Sequence, residues 1–225
     1  MKMDEFWCHV RLFYHRMKCY YILVLGQEFQ YFVGIDEVGR GPVAGPVFVC
    51  ALMVKASKID EIVENAGLPL RDSKKLTEKM REKWFEKIKE FKTKGFLKYA
   101  VVSAAAGEID KKGISVCIKA CCEAATLKLK PEKDETKIFL DGGLKISGDF
   151  VQETIIKGDE NIPVISLASI VAKVLRDREM KKLSADYPGY FLEKNKGYGT
   201  KDHLEAVKKY GLTEFHRRSF LKRFL

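Results

Sequence analysis

The chain has 225 residues, 46% of them hydrophobic, which is enough for one good-sized core and marginal for two. Lys and Arg number 41 against 31 Asp and Glu, so the formal net charge is +10 and the pI near 9.2. That balance favours an anionic partner, with nucleic acid ahead of membrane. The excess is uneven: residues 181–225 hold eleven Lys or Arg against five Asp or Glu, the pattern of a binding face rather than of random surface. No segment is apolar for long enough to span a membrane. The six cysteines (Cys8, Cys19, Cys50, Cys117, Cys121 and Cys122) show no zinc-ligand spacing. They read as reduced, buried thiols of a cytoplasmic protein.

Residues 1–30 form an N-terminal extension rich in aromatic, histidine and basic residues, with no pattern that assigns it a structure. Its apolar run Tyr20 to Leu25 is short and lacks a following small-residue cleavage site, so a signal peptide is not expected. Residues 31–225 read as one domain. Tyr31 to Asp36 and Val47 to Val54 are β-branched or aromatic runs. The turn Gly39-Arg40-Gly41-Pro42 between them predicts an antiparallel pair. Met80, Trp84, Phe85, Ile88 and Phe91 recur at helical spacing behind Thr77, a candidate N-cap.

Tyr99 to Ala105 is a third strand. Ile114, Cys117, Ile118, Cys121, Ala125 and Leu129 make a second helical stripe, ended by Pro131. Lys137 to Asp141 and Glu153 to Lys157 complete the strands. Leu167, Ile170, Val171, Val174 and Leu175 make a third helix, with Arg176 to Glu179 as its charged side. Leu204, Val207 and Tyr210 make a fourth, closed by Gly211. Strands come first and then alternate with helices. The expected architecture is α/β: a mixed five-stranded sheet flanked by helices, with a helical segment at the C-terminal end.

Asp36 and Glu37 stand at the end of an apolar strand and run into Gly39-Arg40-Gly41. An uncompensated carboxylate at the lip of a core is costly, so a divalent cation is an obvious partner. Arg40 adds a planar, phosphate-shaped donor beside the acids. Asp141 and Asp159 also fall where a strand gives way to a glycine-containing loop. Strand ends are where ligands gather in open sheets. Either aspartate alone reads first as a turn residue. A site is favoured because the arrangement recurs three times in one chain. Clustered acids repel unless cations hold them, and Mg²⁺ and Mn²⁺ prefer such hard oxygen donors. Two ions about 4 Å apart suit phosphodiester hydrolysis. Adjacent strand residues point to opposite faces, so Asp36 and Glu37 share a site only if the strand breaks or the glutamate reaches around.

The segments GIDEVGRGPVAGPV (Gly34 to Val47), DSKKL (Asp72 to Leu76), KGDE (Lys157 to Glu160), ASIVAKVLRD (Ala168 to Asp177), KGYGT (Lys196 to Thr200) and HRRSF (His216 to Phe220) together resemble ribonuclease HII. The resemblance implies a ribonuclease H-like catalytic domain over residues 31–225. It implies hydrolysis of the RNA strand of RNA–DNA hybrids, and incision 5′ to ribonucleotides embedded in duplex DNA, leaving 3′-hydroxyl and 5′-phosphate ends. It places the catalytic, metal-holding acids of a two-metal mechanism (Mg²⁺ or Mn²⁺) on Asp36, Glu37, Asp141 and Asp159. The motif that contacts the 2′-hydroxyl falls on Gly39, Arg40 and Gly41, and the recognition tyrosine on Tyr198.

Ser73, Lys74 and Lys75 precede the Thr77 helix and can bind backbone phosphate, or serve only as a cap and solvated lysines. Lys196, Lys201, Arg217 and Arg218 are expected to track the duplex, with a plain solvated face as the other reading. His203 and His216 read as structural or substrate-contacting before catalytic. The expected partner is nucleic acid, with no membrane, and the expected state a monomer. Ribonuclease HIII is the nearest rival; Arg40 and the short N-terminal region argue against it. A resolvase- or integrase-type nuclease of the same fold lacks the glycine-arginine-glycine and KGYGT segments. A non-catalytic nucleic-acid-binding protein would have no use for four acids.

Overall fold

Strand β1 (Tyr31–Val38) runs through the middle of the molecule, apolar on both faces from Phe32 to Ile35. The structure, a computed structural model, describes residues 29–222 apart from 69, 71 and 72. The N-terminal extension up to residue 28, with Cys8 and Cys19, and Asp72 lie outside the described residues. The other strands are β2 (Val47–Lys55), β3 (Leu97–Ala104), β4 (Thr136–Asp141) and β5 (Val151–Ile155). They form one sheet in the order β3-β2-β1-β4-β5. β1 pairs with β2 antiparallel and with β4 parallel; β3 and β5 extend the sheet at its two edges. The expected mixed five-stranded sheet is therefore present. Its central strand is continuously apolar because helices cover both faces.

The helices in chain order are α1 (Ile59–Asn65), α2 (Glu78–Thr93), α3 (Ala106–Lys112), α4 (Ile114–Leu129), α5 (Gly158–Asn161), α6 (Pro163–Asp186), α7 (Leu192–Asn195), α8 (Lys201–Tyr210) and α9 (Arg218–Leu221). Thr77 caps α2 as expected, its hydroxyl accepting from the Met80 N–H at 3.2 Å. Trp84, Phe85, Ile88 and Phe91 of α2 join Ile165, Ile170 and Val171 of α6 on one face of the sheet. On the other face, Cys117, Ile118, Cys121, Cys122, Ala125 and Leu129 of α4 pack on Val33, Ile35, Val49 and Ala51. Cys50, Cys117, Cys121 and Cys122 are buried free thiols.

Helix α6 starts earlier than its apolar stripe suggests, because Pro163 supplies a first-turn residue that needs no N–H partner. Its first turn presses directly on β1. A Cβ added to Gly34 would lie 2.3 Å from the Val164 carbonyl carbon and oxygen, so only glycine permits this approach. The fifth strand ends at Ile155, two residues short of the Lys157 expected from sequence. Lys157 takes a left-handed conformation (φ 55°) and turns the chain into α5.

The C-terminal segment leaves the sheet. Tyr190, Leu192, Ala206, Val207 and Phe215 form a separate cluster with Met180 of α6 and Ala44 of the β1–β2 loop. That contact clamps the segment onto the loop that follows the two acids. Among the described residues no helix is long and apolar enough to cross a membrane.

Candidate active site

Asp36 and Glu37 both remain in the β-ladder, opposite Cys50 and Val49, and pairing continues to Val38 opposite Phe48. The strand does not break between the acids, and their side chains leave opposite faces. Asp36 points toward α6, where it is 4% exposed and accepts a hydrogen bond from Ser169. One of its oxygens also accepts the Glu37 N–H at 2.8 Å. Glu37 lies on the α4 side, where its charge helps raise the Cys122 thiol. Its Oε1 is 3.7 Å from Arg40 Nη1.

Asp141 ends β4. Ile35 pairs with Leu140, so Asp36 and Asp141 occupy the next position on neighbouring parallel strands. Asp141 Oδ1 accepts the Gly158 N–H at 2.6 Å, which draws the start of α5 against the end of β4. Asp159 is therefore carried by the first turn of α5 and not by a strand end. It is 4% exposed, with Lys74 Nζ 3.5 Å from its Oδ2. Its carbonyl accepts from the Ser166 hydroxyl at 2.7 Å.

Burial pushes the Asp36 carboxyl well above the ordinary aspartate range. The Ser169 bond opposes this, while Glu37, Asp141 and Asp159 add repulsion. Burial also raises Glu37, with Arg40 opposing and Asp141 adding to the shift. The acids thus sense one another across the lip of the sheet. Among the described residues, no three His, Cys, Asp or Glu side chains are arranged to hold a metal ion. Chemically, the donor set still fits one. Buried oxygen donors that raise each other's proton affinity are what a hard divalent cation relieves.

The glycine-arginine-glycine turn is held from inside by two arginines. Gly39 has φ +97°, and a Cβ there would fall 2.2 Å from Arg176 Nε. Arg176 donates to the carbonyls of Pro46 and Lys196, each at 3.0 Å. Arg217 donates to the carbonyls of Gly39 (2.7 Å), Pro42 (2.8 Å), Gly45 (3.0 Å) and Arg40 (3.1 Å). It is fully buried. The expectation that Arg217 tracks a duplex is thus corrected. The loop's carbonyls have no strand partner, and a planar fork of five donors satisfies them. Arg40, in contrast, is exposed.

The KGYGT segment joins the same loop. Val43 and Ala44 donate to the Gly197 carbonyl at 2.9 and 3.1 Å. Tyr198 is half-exposed, and a Cβ on Gly41 would sit 3.7 Å from its Cε1, so the ring lies across Gly41. Lys201 and Arg218 are exposed and Lys196 partly so. His203 and His216 are buried and bond to each other through their Nε2 atoms at 3.2 Å, closed off from any leaving group.

Ser73 is a second correction. It is 1% exposed, and its hydroxyl lies 2.8 Å from that of Ser169. It therefore supports the residue that bonds Asp36 and does not face a phosphate. Lys74 and Lys75 are exposed, and Lys75 pairs with Glu160 at 2.7 Å.

Four supporting residues were missed by sequence reasoning. Ser169 and Arg176 sit inside ASIVAKVLRD, where Ser169 carries no signal of its own and Arg176 reads only as part of the helix's charged side. Arg81 Nη1 donates to the carbonyls of Ser73 (2.9 Å) and Leu76, and its Nη2 lies 3.6 Å from Asp177, pinning the loop that bears Lys74. Asp110 accepts the backbone N–H groups of Arg218 (2.8 Å) and Ser219 (3.0 Å) and so caps α9 from α3. No local signal reveals a partner 108 positions away.

The family model described as Ribonuclease HII matches residues 33–223. A ribonuclease HII of Caldicellulosiruptor bescii is 44% identical over 203 residues, covering 90% of this chain and 92% of its own. The crystal structure of the ribonuclease H2 from Pyrococcus horikoshii superposes with a TM-score of 0.70 at 27% identity, over 86% of this chain and 98% of that one. Bst-RNase HIII, solved in complex with Mn²⁺, shares the fold alone, with a TM-score of 0.63 at 18% identity over 88% of this chain and 70% of that one. With the acids at the lip of a mixed sheet and a buttressed glycine-arginine-glycine loop beside them, the chain belongs to the ribonuclease HII family and is an endoribonuclease of ribonuclease H-like fold.

Proposed function

We propose that the enzyme hydrolyses the RNA strand of RNA–DNA hybrids and incises 5′ to single ribonucleotides embedded in duplex DNA. The observation that carries this reading is the contact between the two halves of the site. Glu37 touches Arg40 at 3.7 Å, and Tyr198 lies across Gly41, so acids and sugar reader form one continuous surface. The 2′-hydroxyl is the group that separates RNA from DNA at a given position. Reading it requires a backbone that can approach the sugar, and the Gly39-Arg40-Gly41 loop, held rigid by Arg217 and Arg176, offers one. The exposed face of Tyr198 can stack on the same sugar or its base.

Asp36, Glu37, Asp141 and Asp159 would hold two divalent ions, Mg²⁺ or Mn²⁺. Bound there, such ions supply a nucleophilic water at neutral pH and Lewis-acid stabilisation of the phosphoryl oxygens. That Bst-RNase HIII, a protein of the same fold, was solved with Mn²⁺ is consistent with this choice. Ser169 keeps Asp36 oriented and resists its protonation. Arg40 and Lys74 pair with Glu37 and Asp159 at the two ends of the acid cluster and are exposed enough to meet a backbone phosphate. Water attack at phosphorus breaks the bond to the 3′-oxygen, leaving a 3′-hydroxyl and a 5′-phosphate.

The test is a DNA duplex with one embedded ribonucleotide, incubated with Mg²⁺ or Mn²⁺. Wild type should cut on the 5′ side of the ribonucleotide and Asp36→Asn should not. A wild type that leaves this duplex intact, or a variant that cuts fully, would overturn the reading.

A further inference from the structure

His203 and His216 lie at the centre of the C-terminal cluster, 0% and 2% exposed. Four hydrogen-bonding groups line up through them, and their directions are forced. The Thr213 N–H can only donate, and it meets His216 Nδ1 at 3.0 Å. That nitrogen must accept, so the His216 proton sits on Nε2. It points at His203 Nε2, 3.2 Å away, which must therefore accept. The His203 proton is then on Nδ1, where it donates to the Tyr198 carbonyl at 2.8 Å. The Thr213 hydroxyl, 2.8 Å from His216 Nδ1, can donate to the same nitrogen. The Tyr198 carbonyl also accepts the Thr200 N–H at 2.8 Å, so the peptide that carries the recognition tyrosine is held at this one oxygen from two directions.

We propose that the His203–His216 pair is the positioning device for Tyr198, and that it sets how well the enzyme singles out an isolated ribonucleotide. This rests on the reading of Tyr198 given above. Tyr198 is otherwise an exposed aromatic on a short turn between glycines. Its ring can read a sugar only if its backbone is fixed, and the histidine chain ties that backbone to the segment carrying Arg217, which holds Gly39. One end of the recognition surface is thereby coupled to the other without either histidine touching substrate.

The arrangement works only when both rings are neutral. A proton added to His203 Nε2 would face the His216 Nε2–H, and one added to His216 Nδ1 would face the Thr213 N–H. The groups packed around the pair favour the neutral form. Tyr190 lies 5.1 Å from His216 and 6.4 Å from His203 between ring centroids, with its own hydroxyl donating to Gly211. Phe215 lies 4.4 Å from His216 on another side. After burial, the groups that oppose protonation of His216 are His203 and then Arg218. Burial lowers both imidazoles, His216 to about 4.

Three readouts test the proposal. Imidazole nitrogen NMR of the wild type should show the Nδ1–H tautomer at His203 and the Nε2–H tautomer at His216; the opposite tautomers would overturn it. His203→Ala should lower kcat/KM on the single-ribonucleotide duplex about tenfold, the value of one hydrogen bond, but on a long RNA–DNA hybrid by less than about threefold. His203→Asn, whose side-chain N–H replaces the Nδ1–H, should recover most of the loss. Equal losses on both substrates, or no recovery by asparagine, would mean that the pair is merely structural. In the wild type the ratio of the two activities should fall as pH drops toward 4, and in Tyr198→Ala it should not change. If wild type cuts long hybrids but ignores the single ribonucleotide at every pH, the reading of Tyr198 itself fails. If wild type discriminates and His203→Ala discriminates equally well, only the positioning role fails.

Discussion

Arg217 donates from Nη2 to the carbonyl oxygen of Gly39 at 2.7 Å, inside the protein and directly beneath the loop expected to read the 2′-hydroxyl. With three further bonds to the same loop, this guanidinium does the work a neighbouring strand would otherwise do. A lysine has one nitrogen and cannot reach four carbonyls. Arg217→Lys should therefore destabilise the fold by roughly 2–4 kcal/mol, as buried carbonyls lose their donors. It should lower activity on every substrate alike. Urea unfolding alongside kinetics at several salt concentrations checks this. Unchanged stability with weaker binding and a shallower salt dependence would restore a phosphate-contact role.

Asp36 illustrates a site held at the expense of stability. Burial and three neighbouring acids raise its pKa in the folded state above the unfolded value. Ionising it therefore costs folding free energy, and stability is lost as pH rises through the folded pKa. Asp36→Asn removes that cost. Without divalent metal the variant should melt a few degrees above wild type at neutral pH, about 2–4 °C for each kcal/mol relieved. It should be inactive with metal. A variant that melts below wild type would show that the carboxylate's bonds to Ser169 and the Glu37 N–H outweigh the repulsion.

Metal should reverse that order. Mg²⁺ or Mn²⁺ at about 100 times its dissociation constant stabilises a native state by roughly 2.7 kcal/mol. Wild type should show a rise in melting temperature with either ion and lose all cleavage on chelation. Asp36→Asn and Asp141→Asn should show little rise. Equal metal-induced shifts in wild type and both variants would place the ions elsewhere.

Tyr198→Ala should impair the single-ribonucleotide substrate more than a long hybrid. The ring lies across Gly41, where on the proposed reading one sugar would be examined, whereas a long hybrid presents many equivalent positions. Stacking on one base is worth about 1–3 kcal/mol, so the selective loss should be roughly 5- to 150-fold in kcat/KM. Equal losses on the two substrates would remove Tyr198 from recognition.

Acid should loosen the C-terminal segment first. Burial holds His216 at about 4 in the fold, below its ordinary 6.5, so between these values the unfolded chain binds more protons. Stability contributed by neutral His216 is complete above about pH 6.5 and is lost as pH falls toward 4. Hydrogen exchange over residues 197–217 should speed up in that window before the amides of β1 do. Simultaneous loss of protection across the sheet would argue against a local effect.

The strand and helix runs were legible in the sequence because they rest on local periodicity: alternating or continuous apolar strands, Thr77 as a cap, and helical stripes from Trp84 to Phe91 and Ile118 to Leu129. The acid-and-glycine segments were legible too, since several specific motifs occur in one order. Tertiary structure decided what the polar residues of those motifs touch. Arg217 and Ser73 look like surface donors in sequence, yet one is buried under a loop 178 positions earlier and the other against Ser169, 96 positions later. Asp36 and Glu37 turn out to leave the end of the central strand from opposite faces without a break in the strand. The pairing of His203 with His216 could not be read from either residue's neighbours. Backbone pattern is set within a few residues, whereas the protonation, burial and bonding of a polar side chain are set by whatever distant segment folds against it.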